Sequence, residues 1–162
     1  MAILVNTGRA ALAYALMQQP FYLAWGSGDP AWDDLDAPPT PNINSAALLN
    51  ETGRHLLSIS SFCVPDANGS IDVPTGRYAQ TTEMQNNIYL NFRFSFEDGA
   101  GLVIRELGVF SGGTVVDGLP PGQLYFEPDE VATAGTLVLL DHVFAFVKSE
   151  NVRPSFDFVL TV

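Results

Sequence analysis

Residues 102–113 read LVIRELGVFSGG, and the fold class turns on this stretch. Val103, Ile104, Val109 and Phe110 are strand formers, and Gly112 with Gly113 closes the run as a turn. Arg105 and Glu106 stand side by side inside a strand that otherwise reads as buried. Alternation sends Ile104 and Glu106 to one face and Arg105 and Leu107 to the other. The two charges therefore do not face each other across a site, and each needs its own partner. In the segment NETGR, Glu51 and Arg54 are three apart, a spacing that puts both on one face of a helix. A helix laid on the strand is expected to pair Glu51 with Arg105 and Arg54 with Glu106. Glu51, Arg54, Arg105 and Glu106 are thus read as architectural ion pairs, which orient a helix on a sheet more than they stabilise it. Gly108 is expected to let another backbone come close.

Outward from this strand, NIYLNFRFSFEDGAG alternates Ile88, Leu90, Phe92, Phe94 and Phe96 against Tyr89, Asn91, Arg93 and Ser95. Its Gly-rich end predicts a hairpin with residues 102–110. FYLAWG, LLSISSFCV, TVV, QLYFEP, TLVLLDHVFAFV and SFDFVLTV read as further strands, and DANGS as a turn. Two segments read as helices. NTGRAALAYALMQQP offers Asn6 or Thr7 as cap, an apolar face of Leu12, Ala13, Leu16 and Met17, and Pro20 as stop. SAALLNETGRH offers Ser45 as cap and Gly53 as stop. Between them Ser27–Asn44 carries four Pro and four Asp, which predicts a long ordered loop. Its length and proline content suggest a loop ordered by a partner. The expectation is one α+β domain over residues 1–162, mostly antiparallel β and sandwich-like, with two helices in its N-terminal third.

Seven Lys plus Arg against eighteen Asp plus Glu leave a net charge of −11. That charge disfavours a phosphate backbone and an anionic membrane surface, so neither nucleic acid nor membrane is expected as partner. Met1–Val5 is apolar but short and is followed by Arg9, so no secretory signal is read. Cys63 is the only cysteine, which excludes an intrachain disulfide and reads as a small core residue. His55 and His142 lack metal-ligand spacing to a second His or Cys. Asp29, Asp33, Asp34 and Asp36 do not follow the spacing of a calcium loop. No phosphate loop, serine elbow or paired-carboxylate signal is present. The residues give no catalytic set, no metal site and no cofactor.

Three pieces in order, FYLAWGSGDPAWD, SAALLNETGRH and IRELGVFSGG, resemble small structural proteins of tailed bacteriophages, of the tail-collar-fibre and baseplate-associated type. The family's apolar-Ala-apolar-Gly-x-Gly strand corresponds to Leu23–Gly28, its helical segment to Ala47–Arg54, and its later strand to Ile104–Phe110. The loop 27–44 and TVVDGLPPGQLYFEP depart from that pattern. The resemblance implies a non-enzymatic virion protein of the tail, baseplate or fibre-attachment region, made in the host cytoplasm. It implies assembly with other tail subunits, as a trimer or six-fold ring by the symmetry of such particles. Trp25, Trp32, Asp33 and Asp34 are the candidate partner contacts. The rival reading is a receptor- or carbohydrate-binding module of a tail fibre, with Tyr22, Trp25, Trp32 and the Asp cluster lining a shallow site.

Overall fold

The computed structural model describes residues 1–162. In chain order the elements are α1 (Asn6–Met17), β1 (Phe21–Gly26), β2 (Glu51–Leu56), β3 (Ile59–Pro65), β4 (Ile71–Val73), β5 (Gly76–Thr81) and β6 (Asn87–Arg93). They continue as β7 (Val103–Ser111), β8 (Thr114–Val115), β9 (Tyr125–Phe126), β10 (Val131–Thr133), β11 (Thr136–Val147) and β12 (Ser155–Thr161). Short 3-10 turns occupy Pro30–Asp34 and Pro128–Glu130. No helix is long and apolar enough to cross a membrane. The chain divides into two compact units.

The first unit comprises residues 1–19, 57–92 and 155–162. Its sheet runs β12-β6-β3-β5-β4, and the outermost strands β12 and β4 also touch, so the sheet curls. One face gathers Cys63, Ile71, Val73, Tyr78 and Tyr89, with Ile59 and Val159 against them. β6 is buried on both faces. Its expected polar side therefore had to be satisfied internally. Tyr89 donates to Asp157 Oδ1 at 2.6 Å, and Asn91 Nδ2 donates to the same oxygen at 2.8 Å. The helix at α1 follows the sequence reading, but Val5 occupies the cap position without a side-chain bond. Ala10 and Ala13 are the buried residues, while Leu12 is 51% exposed. The small side chains face inward, so the expected leucine stripe is not the packed face.

The second unit comprises residues 20–56 and 93–154. Its sheet runs β11-β7-β1-β2-β9, with β8 and β10 forming a separate two-stranded ribbon. β7 lies between two antiparallel neighbours, and every residue of it after Val103 is buried. This explains its near-continuous apolar sequence.

Two expectations are corrected here. There is one helix, not two: Glu51–Leu56 is a strand paired with β1, with Tyr22 opposite Leu56 and Trp25 opposite Gly53. Ala46 and Ala47 favour a helix, but Leu48 is buried while Leu49 is 67% exposed, so no helical apolar face exists to pack. The hairpin between β6 and β7 is also absent, since the two strands belong to different sheets. Phe94 leaves the β6 run and stacks on Trp25 at 3.9 Å between ring centroids.

Candidate functional site: a loop strapped to the central strand

The residues that opened the sequence reading lie at the middle of the second unit, and both hold the same loop. Glu106 lies opposite Gly26 in the β1–β7 ladder. A Cβ at Gly26 would collide with the Glu106 carboxylate and with the Asn50 carbonyl. The missing side chain lets Glu106 reach past β1, where it accepts from the backbone N–H of Leu49 at 3.0 Å and of Asn50 at 2.8 Å. Charge-assisted bonds of this kind are stronger than neutral ones. Ser27 N donates to Asn50 O at 3.0 Å, and the Asn50 amide donates to Ser27 Oγ. The loop between β1 and β2 is therefore closed at its neck.

Arg105 holds the same loop from its other side. Its Nε and Nη2 donate to the two oxygens of Asp33 at 2.8 and 2.6 Å, and its Nη1 donates to Ser27 O at 2.9 Å. The Arg105 bonds hold the Asp33 carboxyl below its ordinary range, and Asp33 in turn raises the Arg105 guanidinium. Gly28, at φ +56°, passes the Trp32 ring and the Arg105 stem where a side chain would clash. Trp32 stacks on His142 at 4.3 Å, and His142 Nδ1 donates to Pro39 O at 2.7 Å. Leu48 completes the strap. It packs with Ala24 and Phe110 and covers Gly108, so Gly108 admits a side chain rather than the backbone expected there.

The expected ion pairs are re-partnered. Glu51 does not meet Arg105, and Arg54 does not meet Glu106. Arg54 instead pairs with Glu51 through two bonds of 2.7 and 2.8 Å, and donates to Ala134 O at 2.8 Å. Its guanidinium lies 4.5 Å from the Phe110 ring centroid. In a regular strand, residues three apart point to opposite faces. Here the register shifts between Trp25 and Gly26, so that Gly53 and Glu51 face successive β1 residues. This bulge at Thr52 brings Glu51 and Arg54 to one side, as a helix would have done.

Trp25 is corrected as a partner contact. It is 0% exposed, stacked on Phe94, and its Nε1 donates to Tyr125 Oη at 3.1 Å. Tyr22 is buried too and Trp32 is half-buried, so two of the three aromatics named for a sugar site are not at the surface. Asp33 is held by Arg105, Asp34 is exposed, and Asp29 Oδ1 caps the 3-10 turn at Ala31 N. The acidic residues of the loop are thus spread over different tasks. No three His, Cys, Asp or Glu side chains come together in a metal-binding group. The sequence reading missed Gly26, Gly28 and Leu48. The available signal was the Gly-Ser-Gly step at the end of β1, matched in number to the two charges of β7.

This loop is thus held by bonds to the central strand of its own sheet. Over residues 1–162 the chain matches the family described as baseplate wedge 3 tail fiber network component. The chain belongs to that family. No curated protein matches it. Membership of the baseplate wedge 3 tail fiber network component family makes it a phage baseplate and tail-fibre structural component, which places it in the tail of the virion. In this member of the family, the strand IRELGVF and the strand LAWGSG are adjacent in one sheet, and their charges and glycines together form the loop's anchor.

Proposed function

We propose that residues 1–162 act as one non-enzymatic virion domain that joins other tail, baseplate or fibre subunits through the loop 27–50. The observation that carries this reading is Ile43, which is 98% exposed on a loop fixed at both ends to β7. Leu35 and Leu49 are exposed on the same loop at 50% and 67%. An apolar surface held in place before binding loses little conformational entropy on binding. Beside Ile43 lies a cleft of about 410 Å³ between residues 41–45 and Leu137–Leu140, wide enough for an apolar side chain of a neighbour. Assembly as a symmetric trimer or six-fold ring follows from the closed symmetry usual for such particles.

The test is the incorporation of Ile43→Asp into particles. The variant should fold like the parent, with an unchanged melting curve, and should fall in copy number per particle. A normal copy number for the Ile43→Asp chain would remove the loop from the assembly surface. A map of intact particles showing the loop in contact with no other chain would do the same.

A further inference from the structure

The cleft beside Ile43 runs along an open sheet edge. β11 is the outermost strand of its sheet, and β7 pairs with it on one side only. Leu137–Leu140 of β11 form one wall of the cleft, and Pro41 and Ile43 stand in the other. An open strand edge takes up an extended segment, which brings its own backbone groups and alternate side chains. The bulge at Val138 keeps such a pairing short. No residue lining the cleft is charged, and exposed Asp141 follows its wall directly, which disfavours an acidic occupant.

The same chain carries a segment of matching character. Residues 1–5 read MAILV, lie outside any helix or strand and are all exposed, Ile3 at 77%. Val5 already has extended backbone angles, φ −79° and ψ 162°. Ile3, Leu4 and Val5 are the one contiguous run of three exposed large apolar residues in the chain. Five extended residues span about 16 Å, against about 13 Å for the four residues of the β11 wall. The charges agree with the shapes. No Asp or Glu occurs in residues 1–28, so all eighteen lie beyond them. Two copies of net charge −11 repel over most of their surfaces, but an acid-free segment can enter an uncharged cleft. We infer that residues 1–5 of one copy lie along Leu137–Leu140 of a second copy as an added strand. Segment and cleft are different surfaces, so the contact is head-to-tail and generates a ring where the rotation closes. This rests on the assembly role proposed above and names the neighbour in that cleft as another copy of the chain.

The experiment uses the intact chain in solution. Sedimentation over rising concentration should show self-association in the parent, weakened about tenfold or more in Ile3→Asn/Leu4→Asn by the loss of two apolar contacts. The variant adds no charge, and an unchanged melting curve confirms its folding. An acetylated, amidated peptide of residues 1–5 is then titrated into the folded variant and followed by NMR. Saturable shifts should appear at residues 41–45 and 137–140, and none with the peptide carrying the two Asn. A parent that stays monomeric at every concentration, undiminished association of the variant, or peptide shifts confined to other residues would overturn the inference. The two ideas fail separately. Monomeric parent chains, together with loss of Ile43→Asp chains from particles, sink the strand exchange alone, whereas normal incorporation of Ile43→Asp sinks the assembly role of the loop.

Discussion

Gly26 stands directly opposite Glu106, and the volume that a side chain would fill at Gly26 holds the Glu106 carboxylate. Glu106 is 1% exposed and accepts two backbone N–H groups. Glu106→Gln presents an amide N–H to one of those donors and leaves it unsatisfied. The expected loss is about 1–3 kcal/mol. Gly26→Ala should cost a similar amount by overpacking, about 1–3 kcal/mol. Urea unfolding of each variant reads both numbers, and an unchanged midpoint for Glu106→Gln would show that the carboxylate is not holding the loop.

The Asp33–Arg105 pair gives the loop a pH dependence with a definite sign. Asp33 has its carboxyl pKa lowered from 3.8 in the folded chain, chiefly by its bond to Arg105. As pH falls, the unfolded chain takes up this proton first. The contribution is therefore present above about pH 3.8 and is lost as pH falls through the folded value. Asp33→Asn should lower stability modestly at neutral pH, where the pair contributes, and flatten the acid limb so that the two curves converge in acid. Hydrogen exchange of the 27–36 amides should rise in acid in the parent, and be raised at all pH values in the variant. Parallel acid limbs in both proteins would reject the assignment.

In the first unit, Phe92 is 0% exposed and meets Phe158 edge to face, with ring centroids 6.2 Å apart. Phe92→Ala leaves a cavity between β6 and β12 and should cost about 3–5 kcal/mol. A melt indistinguishable from the parent would remove Phe92 from the core.

Gly108 and Leu48 make a compensating pair. A Cβ at position 108 would strike the Leu48 Cδ1 atom and come within 3.0 Å of Leu137 Cδ1. Gly108→Ala should destabilise by about 1–3 kcal/mol. Leu48→Ala in the same chain should relieve part of that loss, because the struck atom is gone. A double-mutant cycle with no coupling would show that the two positions do not share space.

The sequence disclosed what depends on local pattern. β1, β7, β11, β12 and α1 were legible because apolar runs, alternation and Pro20 carry their own signals. The strand 51–56 was not. A bulge at Thr52 puts Glu51 and Arg54 on one side, so three-residue spacing fits a bulged strand as well as a helix. Arg105 was recognised as needing a partner, but Asp33 lies 72 positions away in a loop, and no periodicity links them. Glu106 was assigned a cation, yet backbone N–H groups hold it, and those leave no trace in side-chain identity. Trp25 looked like a surface aromatic beside glycine. Its burial is set by Phe94 and Tyr125, which come from later segments.

The closed neck between Ser27 and Asn50 has an evolutionary consequence. Because the two ends of the loop are bonded to each other, one to Arg105 and the other to Glu106, changes of length between residues 35 and 43 need not propagate into β1 or β2. Each doubling of such a loop adds only about 0.6 kcal/mol of closure entropy. On the assembly role proposed above, the tip can therefore drift in length and chemistry to follow a changing neighbour, while the Gly-x-Gly strand and the Arg-Glu strand stay locked. One scaffold can in this way serve tails that carry different fibres.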